Sequence, residues 1–87
     1  MTYTYKELHK LLRENIVNVR FTKRDGSERL MICTLMDEYL PETANLAIAR
    51  DPQEKNMNVW DLEVQGWRGF KMFSIKSIEL DHSKVVL

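Results

Sequence analysis

The chain has 87 residues, 44% hydrophobic and 30% charged, with three glycines and two prolines; it is one globular domain's worth of sequence, too short for two and too apolar to be disordered. Thirteen basic residues balance thirteen acidic ones, so net charge alone points to no nucleic-acid partner. The single cysteine, Cys33, excludes an internal disulfide and a cysteine-built metal cage, and suits a reducing compartment.

Residues 4–14 read as a helix, because Tyr5, Leu8, Leu11 and Leu12 recur at helical spacing. Thr4 and Glu7 have the spacing of a capping box, in which each side chain bonds the other residue's backbone N–H. So short a helix is marginal alone, and its leucine stripe needs a surface to dock on. That surface is either the open end of the same domain or another protein, including a second copy.

The period then changes to two. Val17, Val19 and Phe21 alternate with Asn18, Arg20 and Thr22, as in a half-buried strand. Asp25-Gly26 is a hairpin turn signal. A second strand runs from about Glu28 to Met36, and two registers compete for it. A two-residue loop sets Phe21 opposite Leu30; a three-residue loop with Gly26 at a bulge turns Met31, Cys33 and Leu35 inward instead. The bulged form is preferred, because it tightens the turn and bends the strands.

Leu40-Pro41 ends a segment, since a residue before proline avoids helix. Residues 42–50 read as a short helix or an irregular strand, and Asp51-Pro52 opens a polar loop to Asn56. Residues 57–64 alternate again, with Trp60, Leu62 and Val64 assigned to the core side. Gln65-Gly66 turns the chain into a strand through Met72, with Phe70 and Met72 inward. Ile75 and Ile78 are three apart, which predicts a 3₁₀ turn before a last short strand ending at Leu80. The prediction is a mainly β domain over residues 1–87: helix 4–14, a small five-stranded bent antiparallel barrel over 16–80, and a tail 81–87. The apolar end of that tail could add an edge strand within the domain or between copies, so self-association is open.

Phe21-Thr22-Lys23-Arg24-Asp25-Gly26-Ser27-Glu28-Arg29 with Met31-Ile32-Cys33-Thr34-Leu35 resembles the first half of a small WYL-like phage family. Val59-Trp60-Asp61-Leu62, Gly66-Trp67-Arg68-Gly69-Phe70 and Ser74-Ile75-Lys76-Ser77-Ile78 resemble its second half. The resemblance covers roughly residues 16–80. It implies an Sm-like, SH3-like β-barrel and an origin in tailed bacteriophages of the T-even type. Members often carry serine where this chain has Gly69. Barrels of this shape bind RNA, DNA, small ligands or peptide segments, so the fold alone does not choose among them.

The local charge is uneven. Residues 16–36 carry a net +2 and residues 64–78 a net +3, while residues 37–63 carry −5. If the basic segments meet, a neutral chain still has a basic face. Arg20, Arg24 and Arg29 on the first hairpin, with Arg68 and Lys71 on the later strand, are candidates for phosphate contact. A guanidinium donates two parallel hydrogen bonds to a phosphate, and Trp67 could stack on a base. The plain reading is that these are solvating charges paired with Asp25, Glu28, Asp61 and Glu63, and that Trp67 anchors the barrel.

No phosphate loop, zinc-binding pattern or nucleophile elbow is present, and neither His9 nor His82 has a partner at ligand spacing. No enzyme activity, metal or cofactor is expected, and Cys33 reads as a buried, inert thiol. The first expectation is therefore a non-catalytic phage binding module contacting RNA or DNA through a basic barrel face. The alternative is a host-takeover protein whose acidic middle, including Asp51 and Glu54, meets a host protein. A small-ligand sensor is a second alternative. No stretch has the apolar length of a membrane span, and MTYTYKELHK lacks a signal peptide's apolar core, so the expected place of work is the cytoplasm, that of the host if the chain is phage-encoded.

Overall fold

The computed structural model describes residues 3–41 and 51–81. Helix α1 spans Tyr5–Glu14. At its start, the Thr4 N–H donates to Glu7 Oε1 at 2.8 Å and the Glu7 N–H donates to Thr4 Oγ1 at 3.1 Å. These bonds hold the Glu7 carboxyl below its usual range. At its end, the Asn15 side chain donates back to the Leu11 carbonyl at 3.1 Å, and the backbone turns extended. Tyr5, Leu8 and Leu12 are buried, as the stripe requires.

Strands β1 (Ile16–Thr22) and β2 (Glu28–Thr34) pair with Val19 opposite Met31 and Val17 opposite Cys33. This is the bulged register. The Lys23 N–H donates to the Ser27 carbonyl, the Gly26 N–H donates to the Lys23 carbonyl, and Gly26 takes φ +92°. A side chain is strained at that φ, which is why glycine closes the loop. Met31, Cys33 and Leu35 are buried, and Leu30 is 44% exposed.

Strands β3 (Asn56–Asp61) and β4 (Gly66–Lys71) form the second hairpin. Here the predicted parity is inverted. Met57, Val59 and Asp61 are buried, whereas Trp60 is half-buried and Val64 is 47% exposed. The strand stops at Asp61, so Leu62 and Val64 belong to the turn rather than to an alternating face. Asp61 itself makes the turn. Its Oδ1 accepts the Glu63 and Val64 N–H groups, and its carbonyl accepts that of Gln65, which sits at φ 56°.

A 3₁₀ turn at Met72–Ser74 leads into β5 (Ile75–Leu80). A 3₁₀ turn does precede the last strand, but it lies at Met72–Ser74, ahead of the Ile75–Ile78 spacing from which it was read, and that spacing falls within β5. Ile75 pairs with Phe21 and Ser77 with Arg20, leaving Lys76 as the extra residue of a bulge.

The sheet order is β4-β3-β2-β1-β5. β1 is thus flanked by a neighbour in sequence and by a strand from near the far end of the chain. Helix α1 closes the end of the barrel where β1 begins and β2 ends. There the Leu35 N–H donates to the Leu12 carbonyl, and the buried Thr34 hydroxyl lies 2.8 Å from the Asn15 carbonyl and 3.1 Å from that of Leu12, while accepting the Met36 N–H. Burying Leu8 and Leu12 completely contributes roughly 1.5–3 kcal/mol each. The short helix or irregular strand read for residues 42–50, His82, and the apolar tail end offered as an edge strand lie outside the described residues. No described helix is long and apolar enough to cross a membrane.

Candidate functional site

At the end of the barrel opposite α1, the chain leaves a groove of about 530 Å³. One wall is the stem of the first hairpin, Phe21 to Arg24; the other is the end of β4, the 3₁₀ turn and the start of β5. The floor is apolar. Phe21 and Phe70, the last inward residues of their strands, are 7% and 5% exposed and stack with centroids 5.5 Å apart.

Among the described residues, four cations line this groove, Lys23 and Arg24 on the hairpin and Lys71 and Lys76 across from them, and no carboxylate does. The β5 bulge explains Lys76, because an extra residue in a strand re-aims its side chain. The salt bridges among the described residues are Arg13–Asp37 at 3.6 Å and Arg29–Asp61 at 3.0 Å, and none of the four takes part. Asp25 is near in sequence, but its Oδ1 accepts the Ser27 hydroxyl at 2.6 Å and the Ser27 N–H at 3.0 Å. Those bonds, with a smaller pull from Lys23, lower its pKa.

Phe73 stands at the rim, 83% exposed, with the Lys71 ammonium 5.7 Å from its ring centroid. Thr22 also lines the groove, and its buried hydroxyl has no hydrogen-bond partner among the described residues.

Of the residues singled out from sequence, Arg24 and Lys71 come together here. Arg20 is exposed between Leu30 and Ser77, away from the groove. Arg68 is exposed on β4 opposite Val59, also outside it. Arg29 faces inward and donates to Asp61 Oδ2 across 32 positions of sequence, neutralising a carboxylate that is fully buried. Trp67 meets Trp60 edge to face at 5.4 Å and packs on the core. Lys23, Lys76 and Phe73 were not among the predicted site residues. Nothing in the sequence reading pointed to Phe73, whose exposure follows from the 3₁₀ turn at Met72–Ser74.

The remaining candidates are structural. Cys33 is fully buried, and burial, helped by the Asp61 charge, pushes its thiol up to about 12. Asp51 accepts the N–H groups of Gln53, Lys55 and Asn56, bonds that lower its pKa and organise the loop before β3. Among the described residues no group of three or more His, Cys, Asp or Glu is placed to hold a metal ion.

Comparison with known proteins agrees with this architecture. Residues 5–76 match the family model WYL_2, described as an Sm-like SH3 β-barrel fold. The chain belongs to the WYL_2 family. It is also 31% identical, over 77 residues, to an uncharacterized 11.5 kDa protein from the Gp31-cd intergenic region of Enterobacteria phage T4, covering 82% of this chain and 76% of the relative. The phage association and the fold read from the sequence are both upheld. The WYL_2 match begins at Tyr5 and so includes α1, which the sequence resemblance had left outside. No solved structure gives a significant match.

Gly69 stands where the sequence resemblance noted a frequent serine. A Cβ on Gly69 would lie 3.2 Å from Asn58 Oδ1 and 3.4 Å from the Met57 carbonyl. A serine therefore needs Asn58 to give by a few tenths of an ångström, and glycine keeps this part of the groove wall low.

Proposed function

We propose that this WYL_2 protein is a non-catalytic nucleic-acid-binding module that works through the groove opposite α1. The observation that carries the reading is the convergence of Lys23, Arg24, Lys71 and Lys76 on one apolar-floored groove, with no carboxylate lining it among the described residues. Like charges held together repel one another, and an anionic ligand relieves that cost. Phosphate contacts of this kind release counterions, so affinity should fall steeply with salt.

The test is gel mobility of RNA and DNA with the purified protein at low and moderate salt. A salt-sensitive shift is expected, and the double variant Arg24→Glu with Lys71→Glu should abolish it. Each lost phosphate contact should also flatten the log–log salt dependence by about 0.7–0.9. Absence of any shift at micromolar protein and low salt would overturn the proposal. The host-protein alternative has thinner support, because Asp51 and Asp61 are engaged in building their own loop and turn.

A further inference from the structure

Resting on that reading, we infer that the groove takes an unpaired nucleotide, so that the preferred ligand is single-stranded nucleic acid rather than duplex. Three features of the groove point the same way.

The first is Phe73. Its ring is 83% exposed at the rim, directly beside the Lys71 ammonium. An exposed aromatic next to a cation is the pairing that holds a base and its phosphate together, and it is sequence-tolerant because every base has a π-face. In a duplex those faces are sealed in the stack and unreachable without extrusion.

The second is shape. A concave space of about 530 Å³ falls in the range that encloses a small molecule, about 300–1,000 Å³. A duplex presents a convex phosphate surface, and the element best suited to enter its major groove, a helix, is here docked at the opposite end of the barrel through Leu8 and Leu12. A duplex could touch the hairpin tip at Lys23 and Arg24 but would leave Phe73 idle.

The third is charge placement. Lys23 and Arg24 stand on one wall, and Lys71 and Lys76 on the other. A strand running between them has phosphates within reach of both walls while its base turns toward Phe73.

The experiment is fluorescence anisotropy of the full chain with short oligo(dT), oligo(rU) and a duplex of equal length, at low salt. The single strands should bind at least about tenfold more tightly than the duplex. Phe73→Ala should weaken single-strand binding roughly 5- to 150-fold, the range of one lost base stack, and Phe73→Trp should restore it. Phe73 is too exposed for the alanine variant to threaten folding, and an unchanged melting curve verifies this. Equal binding of the duplex, or a Phe73→Ala effect below about twofold, overturns the single-strand inference while leaving the basic groove as a nucleic-acid site. Binding of none of the three ligands overturns both.

Discussion

Thr34 and Thr22 sit on paired strands, at opposite ends of one barrel. Under α1, the Thr34 hydroxyl is buried and surrounded by the Asn15 and Leu12 carbonyls and the Met36 N–H. In the groove, among the described residues, the Thr22 hydroxyl is buried with no partner, beside four cations that form no salt bridge. One end is satisfied internally and the other is not. Stability therefore belongs mainly to the helix end, and unsatisfied binding capacity to the groove end.

This division can be broken by mutation. Leu12→Ala at the helix end should cost the most, about 2–5 kcal/mol, because a fully buried leucine leaves a cavity; denaturant unfolding measures it, and a loss under about 1 kcal/mol would mean that α1 is not part of the core. Thr34→Val should cost roughly 1–3 kcal/mol by orphaning the Met36 N–H and two carbonyl contacts. The same substitution at the other end sharpens the contrast. Thr22→Val removes a hydroxyl that has no partner, so stability should stay level or rise by up to about 1 kcal/mol. If both threonine variants lost stability equally, the two ends would not differ as described. Smallest in stability terms is the Arg24→Glu, Lys71→Glu pair, expected within about 0.5 kcal/mol of the parent in the same unfolding assay, although it should remove nucleic-acid binding. A large stability loss would show those cations to be structural.

Local features of the fold were legible in the sequence. Thr4 and Glu7 are three positions apart, and their capping box needs nothing from the rest of the chain. Gly26 could be read as a bulge because hairpin geometry is also local. The β3 parity was misread because Trp60, Leu62 and Val64 outweigh Met57 and Val59 in apolar bulk. What ends that strand is Asp61, whose buried carboxylate is tolerable only with Arg29 beside it, 32 positions away. The site failed for the same reason. Arg24 and Lys71 were visible as charges, but Lys76 reaches the groove through a bulge set by pairing with β1, and Phe73 is set outside by the 3₁₀ turn at Met72–Ser74. For Arg29 the plain reading, a cation paired with an acid such as Asp61, describes the structure, and the phosphate-contact reading does not.

The pairing of β1 with β5 bears on how the protein comes into being. Val19 meets Met31 soon after synthesis, but its other neighbour, Ile78, is made near the end of the described chain. Closing so long a loop before its contacts form is slow, and barrels dominated by such pairings fold in milliseconds to seconds. Ile75 and Lys76, on the same late strand, are also groove residues. A nascent chain that has made its first hairpin therefore displays Lys23 and Arg24 without the opposite wall. Assembly of the groove and closure of the barrel are the same event, so the protein gains its full binding surface only once β5 has docked.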